Sequence, residues 1–439
     1  MQTYFHTLAD YTTALAKAGE IILLWFSAEE SDFVRFNKNA VRQAGSVKQA
    51  EIGITLIAGR RHIQISLSLS GHIDGDRTEI KTAVEKLRSN LPALPEDPYL
   101  LYNTTPQSTE YITQSSLPAD EQIIDGVLRA GEGTDLVGFF ASGPLYRGFA
   151  NSLGQRNWHR ADNFNFEWCL YHAADKAVKS SYADYVWNAD TLARKMHFAK
   201  EQLALLSSPP LSLAPGAYRA YVAPAALNEI VSLLNWGGLG LKSQRTKQSP
   251  LQKMLESGLS LNPGINIREN MQTGSAPGFQ QEGFIKTNVP LITKGKIDSP
   301  LVSPRSAKEY DVATNGANAQ ESAESLDFAG GALAHDSILK TLDTGIFIGN
   351  LWYLNFSDRM ACRMTGMTRF ATFWVENGQI KAPLNVMRFD DSAFRIFGEN
   401  LLGLTQNCDL ILDSGTYGQR ATASAHLPGI LVKDFLLTL

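Results

Sequence analysis

The chain has 439 residues, more than one hydrophobic core accommodates, so two or more domains are expected. Hydrophobic residues make up 44% and charged residues 19%, a globular composition that excludes a disordered chain. With 40 basic against 44 acidic residues the net charge is −4, and no basic run supplies the electrostatic footprint of a nucleic-acid binder.

A first helix is expected over 4–18, where Phe5, Leu8, Tyr11 or Thr12, and Leu15 recur at helical spacing and Gly19 can end it. Strand-like runs follow at 21–26 (continuing toward 34–36), at 52–58 and at 63–69. In the last of these, Ile63, Ile65, Leu67 and Leu69 alternate with Gln64, Ser66 and Ser68, so one face is polar. Gly59-Arg60-Arg61 is the turn before it. A helix over 78–89 carries Ile80, Ala83, Val84 and Leu87 on one stripe. Residues 91–118, rich in Pro, Ser and Thr, read as a connection. Pro118, Asp120 and Glu121 then open a helix bearing Ile123, Ile124, Val127 and Leu128. Strands at 136–141, 145–151 and 164–172 precede a long amphipathic helix over 189–206. Ser207-Ser208-Pro209-Pro210 marks the main boundary, between an N-terminal α/β domain over 1–208 and a second domain over 209–439.

The second half opens with a strand at 218–222 and a helix over 224–236. Gly, Asn, Ser and Thr then dominate to about residue 330, with one short helix at 249–257. Strand-like runs return at 346–354, 370–375, 380–388 and 430–437, and Asn377-Gly378 is a strong hairpin signal because both residues tolerate positive φ. The fold class expected is α+β, with a mainly antiparallel β C-terminal domain. The longest apolar stretch near the start, 21–26, is far too short to span a bilayer, and Met1-Gln-Thr-Tyr4 has no basic n-region. The three cysteines, Cys169, Cys362 and Cys408, are odd in number and dispersed, which predicts no disulfide framework and a cytoplasmic location.

Metal and nucleophile motifs fail one by one. None of the eight histidines is followed by Glu or paired at metal-helix spacing. The nearest candidates are His159 with Asp162, His172 with Asp175, and His335-Asp336, which also read as ordinary surface polar residues. Gly237-Gly-Leu-Gly240 follows a helix and lacks a third glycine. Gly295-Lys296 has no Ser or Thr after it, and Asp413-Ser414-Gly415 lacks the leading glycine of a nucleophile elbow. Cys169 and Cys362 sit in apolar runs and read as buried, inert thiols. The residues alone give no catalytic and no metal site.

Several runs taken in order nonetheless resemble the TldD/PmbA metallopeptidase family. Phe33-Val-Arg-Phe-Asn-Lys-Asn39 and Gly53-Ile-Thr-Leu-Ile-Ala-Gly-Arg-Arg61 are similar to its opening strands, and Arg147-Gly-Phe-Ala-Asn-Ser-Leu-Gly154 to its N-S-x-G segment. Phe279-Gln-Gln-Glu-Gly283, Leu291-Ile-Thr-Lys-Gly295 and Thr314-Asn-Gly-Ala-Asn318 follow its central series. The PmbA-type C-terminal signature is matched most closely, by Asn355-Phe-Ser-Asp358, Gly366-Met-Thr-Arg-Phe370, Val375-Glu-Asn-Gly378, Asn385 and Arg388-Phe389.

In the family's catalytic TldD branch a helix carries His-Glu-x-x-x-His, and a later cysteine completes a zinc site. Here the corresponding helix reads Leu227-Asn228-Glu229-Ile230-Val231-Ser232-Leu233. The resemblance thus puts Asn228 and Leu233 in the histidine positions and leaves only Glu229, and a lone carboxylate does not hold zinc. Gln280-Gln281 stands where relatives carry acidic residues. The resemblance implies the PmbA/TldE-like branch lacking the zinc motif: a non-catalytic subunit, itself without cofactor, that assembles with a TldD-like zinc peptidase subunit around unfolded peptide. Asn355, Ser357, Asp358 and Arg369 are its candidate peptide contacts; turn and strand-end chemistry is the other reading of that series. A stand-alone peptide-binding scaffold that homodimerises stays open as an alternative, as does an independent hydrolase using Cys362 or a His–Asp pair.

Overall fold

Alternating apolar and polar residues draw the first half into strands longer than the sequence punctuation suggests. The computed structural model describes residues 1–173 and 176–439. Helix α1 (Gln2–Thr13) leads into β1 (Glu20–Asn37), β2 (Ala40–Ala58), β3 (Arg61–Ser68) and α2 (Ile73–Asn90). β4 (Thr109–Ile112), α3 (Asp120–Ala130), β5 (Asp135–Asn151), β6 (Arg156–Ala173), β7 (Lys176–Asp184) and α4 (Ala189–Leu205) follow. Their seven strands form one sheet in the order β3-β2-β1-β5-β6-β4, with β7 beside the second half of β6. Its ladders are antiparallel except that of β4 on β6.

The run at 21–26 continues through 34–36 as one strand, as expected, because the polar stretch between them is satisfied rather than exposed: Glu29 and Ser31 are buried, and Ser31 Oγ donates to Glu29 at 2.9 Å. Two other expectations change, each for a physical reason. The runs at 136–141 and 145–151 are also one strand. Pro144 lacks an N–H, and it falls where the β1–β5 ladder is interrupted between Glu29↔Leu145 and Asp32↔Ser142. The strand expected at 52–58 begins at Ala40, because Lys38 and Asn39 both take positive φ (51° and 52°) and reverse the chain in two residues. β7 has no counterpart in the sequence reading.

In the second half, β8 (Gly216–Val222) and α5 (Pro224–Asn235) form where expected. The Gly- and Ser-rich stretch after them is built, not structureless: it folds as α6 (Leu241–Arg245), α7 (Gln252–Glu256), β9 (Ile267–Glu269), β10 (Val289–Thr293), β11 (Lys296–Ile297), α8 (Pro304–Tyr310) and β12 (Ser325–Phe328). After α9 (Ile338–Leu342) come β13 (Gly345–Asp358), β14 (Arg363–Glu376), β15 (Gln379–Pro383) and β16 (Arg388–Ser392). α10 (Ala393–Ile396), β17 (Leu401–Leu412) and β18 (Ser424–Leu437) complete the chain. The run expected at 380–388 is split, β15 pairing with the end of β14 and β16 with its start. Asn377 (φ 53°) and Gly378 (φ 71°) make the β14–β15 hairpin as predicted.

The second sheet has eleven strands, mostly antiparallel, with β8 parallel to β13 and β12 parallel to β18. Because β8 pairs with both β13 and β18, strands β8, β13, β14, β16 and β18 close into a ring, and α5 lies against β13 and β18. The fold is mixed α+β. One hydrophobic core joins the halves: Phe140, Phe166 and Trp168 of the first sheet pack in the same cluster as Phe347, Phe373 and Leu431 of the second. No helix among the described residues is long and apolar enough to cross a membrane.

Candidate functional site

The alternation of β6 decides what lies beneath α5. In Phe164-Asn165-Phe166-Glu167-Trp168-Cys169-Leu170 the apolar members are buried in the shared core, so Asn165, Glu167 and Cys169 take the opposite face. Lys179 of β7 stands opposite Cys169 and brings its Nζ to 3.7 Å from Glu167. Across from it, Asn350 Nδ2 on β13 donates to the Lys179 carbonyl at 3.2 Å. The charges of Lys179 and Glu167 act on Glu229 of α5, and those of Lys179, Glu167 and Arg369 act on Cys169. Residues of the first sheet and of β13 therefore meet at one site, with Glu229 of α5 and Arg369 of β14 within electrostatic range of it.

The site is the middle of a groove. On one side of Lys179, a cavity of about 610 Å³ is floored by Arg35, Phe139, Glu167 and Cys169 and roofed by Ser414 and Thr416. The Phe33 and Phe139 rings stack at 5.8 Å, and the Arg35 guanidinium lies 5.8 Å from the Phe139 centroid. On the other side, a second cavity of about 610 Å³ lies between α4, β7 and the start of α5. Val178, Lys179, Ser180 and Ser181 line it, so β7 runs along the groove with its unpaired side open. The roof is strapped down by Arg420, which is buried and donates to the Gly143 carbonyl (3.1 Å) and Ser31 Oγ (3.4 Å), while its backbone N–H donates to Glu29 (3.2 Å). Burial holds the Arg420 guanidinium down at about 10, with Glu29 opposing, so it stays charged at neutral pH.

The helix positions that would hold zinc do not fit it. Asn228 is half-buried, Glu229 is open to solvent, and Leu233 packs on the apolar core of the ring. An amide and an alkyl group supply no zinc ligand pair. Among the described residues, no three His, Cys, Asp or Glu side chains come close enough to share a metal ion. The surrounding protein pushes the Glu229 carboxyl above its ordinary range, with Lys179 opposing.

The four expected peptide contacts divide. Asn355 Oδ1 accepts from the Phe356 N–H (2.8 Å), Ser357 Oγ donates to Asp390 (3.1 Å), and Asp358 Oδ1 accepts from the Ala361 N–H (3.0 Å). These three tie down the end of the β13–β14 hairpin, and none of them lines the groove cavities. Arg369 lines neither cavity; its guanidinium stacks over Trp352 at 4.4 Å, and its charge acts on Cys169. Lys179, Glu167, Asn350 and Phe139 went unrecognised, although the polar members of the β6 alternation carried the signal for Glu167.

The remaining catalytic candidates disperse. His159 is buried against the Ser275 carbonyl (3.1 Å), whereas Asp162 pairs with Arg160 (2.8 Å). Asp175, the partner considered for His172, lies outside the described residues. His335 and Asp336 are exposed before α9. Burial pushes the Cys362 thiol up to about 12 and Cys408 to about 11, and raises Cys169, which leaves no activated thiolate among them. One pair the sequence did not reveal, His426 with Asp327 at 3.3 Å, is tied to Arg268 (2.7 Å), and the nearby Cys408 is kept protonated by burial and by Asp327 itself.

Residues 215–438 match the profile of the PmbA/TldA metallopeptidase C-terminal domain. The chain belongs to the PmbA/TldD family. Three solved structures share the PmbA/TldD fold over 99% of this chain. A proposed modulator of a DNA gyrase from Thermotoga maritima is similar at 15% identity, a TM-score of 0.79 and 100% of its own length. TldE from Thermococcus kodakarensis is similar at 12%, 0.78 and 100%, and a proposed modulator of DNA gyrase from Bacteroides thetaiotaomicron at 14%, 0.73 and 98%. No curated protein matches the sequence.

Proposed function

We propose that this PmbA/TldD-family chain is the peptide-holding, non-catalytic subunit of a cytoplasmic metallopeptidase assembly, working beside a TldD-like subunit that supplies the zinc. The reading is carried by the makeup of α5: the resemblance puts Asn228 and Leu233 in the histidine positions, and the start of the same helix borders a groove otherwise built to receive a chain. An extended peptide adds to the open edge of β7 through main-chain hydrogen bonds, so it is held with little regard to sequence. Phe139 and Arg35 give its side chains an aromatic and cationic floor, and the 414–420 strap keeps it from lifting away. Zinc in the partner subunit activates water for hydrolysis.

A surface for that partner lies on the hairpin outside the groove. Trp236, Trp352, Tyr353 and Met360 are all exposed, with Arg359 stacked on Trp236 (5.4 Å) and Arg369 on Trp352. Trp, Tyr, Met and Arg are the residues that interfaces concentrate. The structural likeness to TldE from Thermococcus kodakarensis supports a TldD/TldE context.

Elemental analysis of the purified chain, with an unfolded-peptide cleavage assay with and without added zinc, tests the reading. The expected result is no stoichiometric metal, no hydrolysis, saturable peptide binding, and activity only in complex with a TldD-type partner. Zinc near one equivalent with chelator-sensitive cleavage would overturn it. Stable self-association with peptide binding and no partner would replace it by the stand-alone scaffold.

A further inference from the structure

The cavity on the α4 side of the groove ends at the head of α5, and that helix begins without a cap. Its N-cap residue is Ala223, in extended conformation (φ −68°, ψ 159°), and no side chain accepts from the first turn. Pro224 has no N–H to satisfy, and the N–H groups of Ala225 and Ala226 find no acceptor among the described residues. The helix has 12 residues, long enough for its aligned peptide dipoles to favour negative charge at this end.

The second observation is independent of the helix. Two polar side chains lining the same cavity are buried and have no hydrogen-bond partner among the described residues: the Tyr221 hydroxyl (3% exposed) and the Gln202 amide (4% exposed). Tyr221 lies two residues before Ala223 on β8, so the two side chains share one face of the chain leading into the helix. Its hydroxyl is given room by Gly429, where a Cβ would lie 2.2 Å away. Side chains buried to this degree normally find partners within the protein, whereas the polar atoms of these two reach the solvent of the cavity.

The charged lining is close to balanced: Lys195 pairs with Asp409 at 2.9 Å and Lys179 with Glu167 at 3.7 Å, which leaves Arg194 against Asp336, so the helix end rather than net charge favours an anion here. The rest of the wall is apolar, with Phe198, Phe347, Ile338 and Ala371 among its members. Its volume, about 610 Å³, is that of a small-ligand pocket, room for the end of a peptide and not for a folded segment.

We propose that this cavity binds the C-terminal residue of a peptide, with the free carboxylate on the Ala225 and Ala226 N–H groups, Tyr221 and Gln202, and an apolar terminal side chain against Phe198 and Phe347. The inference rests on the peptide-holding reading and deepens it: the groove holds its substrate by the C-terminal end, and the chain then runs back along β7 toward Lys179.

The test compares a fluorescein-labelled hexapeptide ending in leucine with a free carboxylate against the same peptide as its C-terminal amide, by fluorescence anisotropy on the full chain. The acid is expected to bind at least about tenfold more tightly, since charge-assisted hydrogen bonds replace neutral ones. N-acetyl-leucine is expected to compete with it. The variant Ala223→Asp places a carboxylate at the N-cap, where it satisfies the same N–H groups from within. It is expected to melt no lower than the wild type and to lose the preference for the acid. Tyr221→Phe, which keeps the ring, is expected to weaken the acid and leave the amide unchanged. Equal binding of acid and amide by the wild type would overturn the carboxylate site while leaving the peptide-holding reading intact. Binding of neither peptide would overturn both.

Discussion

At the scale of residues, the groove depends on charges buried where water cannot screen them. Arg420 donates to Ser31 and to the Gly143 carbonyl, and the adjoining Glu29 is also buried. Arg420→Met leaves that carboxylate without its compensating charge, and the expected loss is about 3 kcal/mol in urea unfolding, with weaker peptide binding as the strap loosens. Glu269 gives a pH signature. Burial pushes its carboxyl up to about 7 from an ordinary 4.5, against the pull of Lys286 and of the Ser325 and Glu324 N–H groups. Between these two values the native protein holds a proton that the unfolded chain has released, so this group removes stability as pH rises from about 4.5 to 7. Glu269→Gln is expected to abolish that decline: the stability of the variant relative to wild type should climb across the window and level off above it. Unfolding free energies measured at pH 4.5, 6 and 7.5 check this, and a constant difference would refute it.

Elements carry their own strain. Gly378 (φ 71°) and Gly59 (φ 59°) both sit in left-handed turns, but a Cβ at Gly378 would lie 3.2 Å from the Lys340 backbone, whereas Gly59 faces open space. Gly59→Ala is expected to cost about 1 kcal/mol for the backbone conformation alone, and Gly378→Ala more, by thermal melting. The β13–β14 hairpin shows the reverse case. Tyr353 is 77% exposed and takes φ 59°, a conformation no bulky residue adopts by preference. Tyr353→Gly should therefore stabilise the isolated chain by up to about 1 kcal/mol while weakening its association with a partner subunit, readable by native mass spectrometry. The hairpin turn at Asn377-Gly378 was legible because two turn-forming residues suffice to specify it. The bulges near Tyr353 and Phe370 were not, since they are imposed by pairing between strands.

At the scale of the molecule, the two sheets share a core, so they are expected to unfold together. Phe373 is fully buried within the cluster that also holds Phe166 and Trp168. Phe373→Ala should cost about 4 kcal/mol and lower a single transition seen alike by tryptophan fluorescence and far-UV circular dichroism. Two separate transitions would show that the halves are autonomous. Ser207-Ser208-Pro209-Pro210 lies between the last strand of the first sheet and the first strand of the second. The site was less legible than the fold. Asn228, Glu229 and Leu233 came from the resemblance and line neither groove cavity, and three of the four hairpin contacts serve the turn.

What the sequence determined by itself were the local quantities: strand and helix periodicity, the turn at Asn377-Gly378, and the family signature of the C-terminal half. Each is written in residues a few positions apart. Only the tertiary structure decided that Glu167, Lys179 and Asn350 meet along one groove, that a charged arginine at 420 is buried against the first sheet, and that the head of α5 opens uncapped into a cavity. Those arrangements follow from strand register and from the core the two sheets share, which bring together residues far apart in the chain that leave no periodic trace in it.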